Sequence, residues 1–394
     1  MILLQLIKNI LTNIYKVIFS ILGAILPKNN NLIIFESFLG KQFSDNPRAI
    51  YEYLKKNHPN YILIWSFNKD YIDTVNNREL LHVKRFSLKW LFLMTRAKYW
   101  VSNSRLPLWI PKPKKTIYLQ TWHGTPLKKL GKDIKKVYMS GENTTQYKKD
   151  FILESSKWDY LVSPNKYSTK IFKRAFEFNQ KIIETGYPRN DFLINNNNTS
   201  TINVLKSKLN IPQNKKIILY APTWRDDDFH TKGKYSFKLP FDLDSLYKEF
   251  KDDYLIILRL HYLVAENIDL SEYDNFILDY SYHEDIRDLY IISDILITDY
   301  SSVFFDYAIL KRPMIFYVHD IENYRDNLRG FYFDFENNSP GPLVKTTNEL
   351  ISAIHDTTKS NYPLAEYQKD FYDFILLEDG CATERVVNEV FDIR

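Results

Sequence analysis

The sequence predicts an α/β protein with two doubly wound, parallel-sheet domains facing a cleft. Three observations carry this. A length of 394 residues suits two hydrophobic cores better than one. Short β-branched and aromatic runs alternate with helical stretches from Asn31, and the alternation restarts at Lys215. Several strands end in polar, chemistry-bearing residues, where open α/β sheets place ligands. The expected division is a helix at 1–27, a first domain at 28–200 and a second at 201–394.

Residues 1–26 are mostly apolar. Gln5, Lys8, Asn9, Thr12, Asn13, Lys16 and Ser20 recur every three to four residues and form one stripe of a helix. Leu3, Leu4, Ile7, Ile10, Leu11, Ile14, Val17, Ile18, Ile21 and Leu22 make a broad apolar face, and Pro27 ends the run. The apolar stretch after Lys16 is too short to span a bilayer. Without a basic leader or a small-residue cleavage site it does not read as a signal peptide. The pattern suits a helix lying in a membrane interface. Packing on the protein's own core or on another subunit is the competing account, and a membrane span is a third.

Beyond it, strands are expected at Leu32–Phe35, Tyr61–Phe67, Lys98–Ser102, Thr116–Thr121 and Lys181–Glu184, with helices at Pro47–Lys56, Ser87–Arg96 and Tyr167–Phe176. The polar run Asn195–Thr201 reads as a loop at the domain boundary. The second series has strands at Lys216–Tyr220, Tyr254–Arg259, Phe276–Leu278, Ile295–Thr298 and Met314–Val318. Its helices are Leu243–Phe250, Glu284–Ile292 and Ser302–Leu310, with closing helices at Tyr362–Leu376 and Ala382–Asp392.

A single cysteine, Cys381, excludes an internal disulfide framework and fits a reducing compartment. No zinc-ligand spacing occurs, so no structural zinc is expected. The net charge of +5 is unevenly placed. Between Arg105 and Lys136 stand Lys112, Lys114, Lys115, Lys128, Lys129, Lys132, Lys135 and Lys136, against Asp133 as the one acid. Such a run is either a solvated face or the seat of an anionic partner, a phosphate substrate or an acidic membrane surface. No nucleic-acid-binding signature is present, so no nucleic-acid partner is expected.

The strand Thr116–Thr121 stops at Trp122-His123-Gly124, and Thr125-Pro126 looks like an N-cap followed by the first residue of a helix. His123 would then stand at a strand end where it can take a proton near neutral pH. The helix start and Lys128 would attract an anion. A core histidine bonded to a backbone carbonyl is the plainer account of His123.

In the second series, Ala221-Pro222-Thr223-Trp224-Arg225 follows one strand, Arg259-Leu260-His261 ends the next, and Asp299-Tyr300-Ser301-Ser302 ends a third. Arg259 and His261 are two apart and share one side of an extended chain. Ser301 or Ser302 can cap the following helix, whose free N–H groups can hold a phosphate. Arg329 is a candidate phosphate clamp, or else half of a structural ion pair. Together these residues suit a diphosphate ligand.

Five segments carry a resemblance: Gln120-Thr121-Trp122-His123-Gly124-Thr125-Pro126-Leu127-Lys128, Thr185-Gly186-Tyr187-Pro188-Arg189-Asn190-Asp191, Ala221-Pro222-Thr223-Trp224-Arg225, Arg259-Leu260-His261 and Thr298-Asp299-Tyr300-Ser301-Ser302. In that order they resemble the signature set of the CDP-glycerol glycerophosphotransferases, with Asp379-Gly380-Cys381-Ala382 and Arg385 similar to its closing motif. The resemblance runs from about Asn31 to the C-terminus. It implies a GT-B-like fold and an enzyme peripheral to the cytoplasmic face of the cell membrane in a Gram-positive bacterium. It also implies transfer of glycerol phosphate from CDP-glycerol to a hydroxyl of a lipid-linked (polyprenyl diphosphate) teichoic acid or capsule precursor, releasing CMP.

By position, His123 matches the family's proposed base and His261 its second essential histidine. Arg329, Ser301 and Ser302 match phosphate-binding residues. Thr223, Arg225, Arg259 and Asp299 join the expected donor site, and Trp122, Gly124, Thr125 and Lys128 the acceptor or phosphate side. No cofactor or metal is expected, because no Asp-x-Asp stands at a strand end and cationic side chains can take a metal's place. The chain's length favours a priming or early-extension member over a polymerase. A CDP-ribitol donor, a nucleotide-sugar glycosyltransferase on the same fold, and a non-catalytic module binding a lipid-linked polymer are the alternatives.

Overall fold

The computed structural model describes residues 2–72, 79–137, 143–223, 229–231, 234–235, 239–260, 270–328 and 330–393. The chain divides into two compact units. The first comprises Met1–His123, Lys148–Asp191 and Cys381–Arg394; the second comprises Gly124–Tyr147 and Phe192–Gly380. This differs from the expected 28–200 and 201–394. The reason is packing: Val386, Val387 and Val390 of the last helix, Ala382–Val390, and Phe391 just after it lie in the core of the first unit. A sequence boundary cannot reveal such a return of the chain.

The first unit is built on seven parallel strands: β1 (Asn29–Glu36), β2 (Ile62–Phe67), β3 (His82–Lys84), β4 (Ala97–Ser102), β5 (Ile117–Gln120), β6 (Tyr160–Ser163) and β7 (Lys181–Glu184). Their order is β3-β2-β1-β4-β5-β6-β7. Leu32 to Glu36 are buried in succession, as expected of a parallel strand covered on both faces. The order reverses direction between β1 and β4, the position at which doubly wound sheets bind ligands.

The second unit repeats the plan with β8 (Lys216–Tyr220), β11 (Tyr254–Leu258), β12 (Ile277–Asp279), β13 (Ile295–Thr298), β14 (Met314–Tyr317) and β15 (Leu343–Val344), beside a short hairpin of β9 (Phe229–Thr231) and β10 (Lys234–Tyr235). The sheet order β12-β11-β8-β13-β14-β15 is again parallel and reverses between β8 and β13.

Two other expectations give way. Asn195–Thr201 is not one loop. Helices Asp191–Asn196 and Thr199–Lys208 flank only Asn197 and Asn198, and the Asn198 side chain caps the second by accepting from the Thr201 N–H. Polar composition there marks a helix cap. Tyr362–Leu376 forms two short helices, Leu364–Lys369 and Tyr372–Ile375. The helix Thr347–Asp356 was unanticipated, although Thr346 and Glu349 form the reciprocal capping box that its Thr-x-x-Glu spacing signals.

Residues Ile2–Ile25 form one helix with two distinct faces. Phe19 is fully buried against Trp90 and Trp100, and Tyr15 meets Trp109 edge-on at 5.4 Å. Leu6, Ile10, Leu11, Ile14, Val17, Ile18, Ile21 and Ile25 are exposed. The aromatic side anchors the helix to the first unit, and an aliphatic stripe is left uncovered. Among the described residues, no helix is long and apolar enough to cross a membrane.

Candidate functional site

In the first unit the loops after β1 and β4 are joined where the strand order reverses. The Phe38 N–H donates to Asn103 Oδ1 at 2.8 Å. The Asn103 carbonyl in turn accepts from His123 Nδ1 at 2.7 Å. A carbonyl can only accept, so Nδ1 carries the proton and Nε2 of the neutral ring carries the lone pair. The His123 ring stacks on Trp122, with centroids 4.6 Å apart, and stays exposed to solvent. The protein packed around it disfavours the charged form and lowers its pKa. The Asn103 carbonyl and Asp45 oppose that shift, while Arg189 and Arg105 add to it. His123 thus bonds a backbone carbonyl, as the plainer account has it, and is at the same time exposed.

The turn that presents His123 is strained. Trp122 has φ of 53°, in the left-handed region that costs a non-glycine residue about 1–2 kcal/mol. Its indole is held among Phe151, Trp158, Phe172 and Phe176. Its N–H donates to Gln120 Oε1 and its carbonyl accepts from Asn46 Nδ2. Asn46 and Asn103, both fully buried, were not singled out in the sequence. The Ser44-Asp45-Asn46-Pro47 helix start was the available signal.

The Thr185–Asp191 segment is tied to the closing motif within the same unit. Asp191 accepts from the backbone N–H groups of Ala382 and Thr383, and Arg385 donates to the Thr185 carbonyl. Burial raises the Asp191 pKa despite these bonds.

In the second unit, Asp299 accepts from the Thr223 N–H at 2.7 Å, joining the loops after β13 and β8 at the second reversal point. Ser301 and Ser302 precede the helix Val303–Tyr307. Ser302 occupies the cap position, but its side chain makes no cap bond. Arg259 donates from Nη1 to the Tyr280 carbonyl at 3.0 Å and to the Ser281 carbonyl, so this guanidinium also braces the end of β12. Trp224, Arg225, His261 and Arg329 lie outside the described residues.

No helix begins at Thr125-Pro126. Leu127 to Lys129 instead pair antiparallel with Gly330 to Tyr332, through Lys129 N–H to the Gly330 carbonyl at 3.1 Å and Tyr332 N–H to the Leu127 carbonyl at 2.8 Å. This pairing uses donors and acceptors that a helix would need, so tertiary structure overrides the local helix signal. The anion-attracting helix start expected beside His123 is therefore absent. Thr125 is buried, and Lys128 lies 6.0 Å from the Tyr324 ring centre. Trp122 and His123 belong to the first unit, and Gly124, Thr125, Lys128, Thr223, Arg259, Asp299, Ser301 and Ser302 to the second. Among the described residues, no group of three or more His, Cys, Asp or Glu side chains could hold a metal ion.

Residues 18–392 match the family model described as CDP-Glycerol:Poly(glycerophosphate) glycerophosphotransferase. The chain is 59% identical over 384 residues to the teichoic acid poly(glycerol phosphate) polymerase of Bacillus subtilis, covering 97% of this chain and 51% of that relative, about half its length. It is 58% identical to the protein of the same name from Bacillus spizizenii, with 97% of each chain covered. A relative of matching span thus bears the name polymerase, and chain length does not argue for a priming member. Among solved structures, the wall teichoic acid polymerase TagF superposes with a TM-score of 0.90 at 45% identity, covering 98% of this chain and 95% of that one. The fold is accordingly GT-B-like, with two parallel-sheet α/β domains.

Proposed function

We propose, since this chain belongs to the CDP-glycerol:poly(glycerophosphate) glycerophosphotransferase family, that it transfers glycerol phosphate from CDP-glycerol to a terminal hydroxyl of a teichoic acid precursor and releases CMP. The observation that carries the reading is the state of His123: Nδ1 tied to the Asn103 carbonyl, Nε2 bearing the lone pair, and a pKa held down so that the ring is neutral near pH 7. An alcohol is a poor nucleophile at that pH. His123 Nε2 takes its proton as the oxygen bonds to the phosphorus that carries glycerol. The phosphorus–oxygen bond to CMP breaks, and the bridging oxygen leaves with the electron pair.

CMP gains negative charge as it departs. Ser301, Ser302 and Arg259 are assigned to its phosphates, with Arg225, His261 and Arg329 as further cationic or donor groups from the sequence motifs. In this scheme side chains, not a metal, offset the charge. Thr223 and Asp299 hold the two loops of the donor unit to each other. Glycerol is favoured over ribitol as the donor's polyol because both relatives near 60% identity carry glycerol phosphate in their names.

The acceptor is taken to be lipid-linked, with the enzyme peripheral to the cytoplasmic membrane face. Two features support this. One is the exposed aliphatic stripe from Leu6 to Ile25. The other is a cavity of about 260 Å³ lined by Lys28, Lys98, Lys114 and Lys115, with Asp159 as its one acid, in the unit to which that helix is anchored.

The test is a donor panel of CDP-glycerol, CDP-ribitol and a UDP-sugar with a lipid-linked disaccharide acceptor, reading the released nucleotide by chromatography. CMP from CDP-glycerol is expected. UDP would favour the glycosyltransferase reading, and no nucleotide from any donor would favour a binding module.

A further inference from the structure

Two buried charged residues beside the His123 turn have no part in the proposed chemistry. Asp45 and Arg189 form an ion pair at 3.0 Å, with their side chains 8% and 6% exposed. Between them and the turn lies Asn46. Its Nδ2 donates to the Trp122 carbonyl at 3.1 Å and to the Thr121 carbonyl at 3.3 Å, and its Oδ1 accepts from the Arg189 N–H at 3.1 Å. Asp45 and Trp122 both have left-handed backbone, at φ of 67° and 53°. Neither conformation persists unless its surroundings fix it. One amide thus ties two strained turns and the Pro188–Asn190 helical turn into a single unit.

We infer that the Asp45–Arg189 pair and Asn46 are positioning residues for His123, holding the turn that carries the base and balancing charge beside it. The inference rests on the reading of His123 as the base. The geometry carries it: Asn46 Nδ2 holds the Trp122 carbonyl at 3.1 Å, at the peptide that joins Trp122 to the imidazole-bearing residue. The charges facing His123 are Asp45 from the start of the helix Asp45–Asn57, Arg189 from the Pro188–Asn190 turn, and Arg105 from the loop after β4, where its guanidinium lies over the Phe151 ring. Asp45 favours the imidazolium, and the two arginines disfavour it. An ion pair that does not act on the imidazole could be dismantled from either side without moving the His123 pKa. A balancing pair moves it in opposite directions.

The experiment is an NMR titration of the His123 imidazole in the full chain, assigned by comparison with His123→Gln. Asp45→Asn suits the left-handed backbone and removes the anion, leaving Arg189, so the His123 pKa falls. Arg189→Gln leaves Asp45, so it rises. Shifts of roughly 0.5–1 unit in opposite directions are expected. Arg189→Lys, which keeps the charge, holds the wild-type value. The double variant Asp45→Asn/Arg189→Gln buries no unpaired charge and returns the pKa towards wild type, so it serves if a single variant fails to fold. Asn46→Ala lowers kcat about tenfold or more with KM for CDP-glycerol unchanged, as a misplaced base requires.

Shifts in the same direction, no shift in folded protein, or a double variant displaced as far as either single one would overturn the inference. The reading of His123 as base is judged separately, by whether the acid limb of the kcat/KM profile follows the titrated value. If the pKa moves as expected and the limb does not, the base assignment fails and the electrostatic pairing stands.

Discussion

Ser302 Oγ stands 2.8 Å from the place where a Cβ on Gly124 would lie, and Ser302 Cβ stands 3.3 Å from it. A side chain at 124 would have to displace the Ser302 hydroxyl, so glycine there lets backbone and hydroxyl approach within the second unit. Gly124→Ala should destabilise by about 1–3 kcal/mol through overpacking. In a Ser302→Gly background the same change should cost clearly less. Thermal denaturation of the wild type and the three variants of the double-mutant cycle measures the coupling; additive losses would show that the two residues do not constrain each other.

The acid limb of kcat/KM should lie below the ordinary imidazole value of about 6.5, because surrounding protein lowers the His123 pKa. The sign follows from the base's need to be neutral: a depressed pKa keeps it competent to lower pH. The same group makes the folded state bind fewer protons than the unfolded chain in the window between the two pKa values. Its contribution to stability therefore declines as pH falls below about 6.5. A pH–rate profile and denaturation at several pH values check both statements.

The strands were legible because parallel strands buried on both faces are short continuous apolar runs, as in Tyr254–Leu258. His123 was legible because it ends such a run. Its supports were not. Asn103 contributes through its backbone carbonyl, which no residue type encodes. Asp45 and Asn46 act across 75 or more positions of chain, to Thr121, Trp122 and Arg189, only once the sheet has formed. The Thr125-Pro126 helix signal was sound locally and lost to pairing with Gly330–Tyr332, a contact with no trace in local sequence.

Ser302→Ala should weaken CDP-glycerol binding by about 1 kcal/mol, the worth of one hydrogen bond, with little effect on folding since its side chain makes no cap bond. Arg259→Ala should cost stability as well as affinity, because it also braces Tyr280 and Ser281. Calorimetry with CDP-glycerol, paired with melting curves, separates the two. Unchanged affinity in both variants would contradict the donor assignment.

The two faces of the N-terminal helix should respond oppositely. Phe19→Ala should cost about 3–5 kcal/mol, as for a buried aromatic, because it empties a site between Trp90 and Trp100. Ile10→Gln, Ile14→Gln and Ile21→Gln together should leave the melting temperature nearly unchanged, since these side chains are exposed. They should reduce sedimentation with anionic vesicles and slow turnover on a long-chain lipid acceptor but not on a soluble one. Equal losses on both acceptors would remove the membrane role.

In the proposed reaction His123 takes the acceptor proton while glycerol phosphate leaves CMP. A single-turnover experiment with CDP-glycerol and a lipid-linked acceptor, comparing wild type with His123→Ala, addresses it most directly. Wild type should yield CMP and glycerol phosphate-extended acceptor in equal amounts. The folded variant should react more slowly by roughly two to four orders of magnitude, with CDP-glycerol still bound. Near-normal turnover in that variant, or extension of the acceptor without CMP, would contradict it.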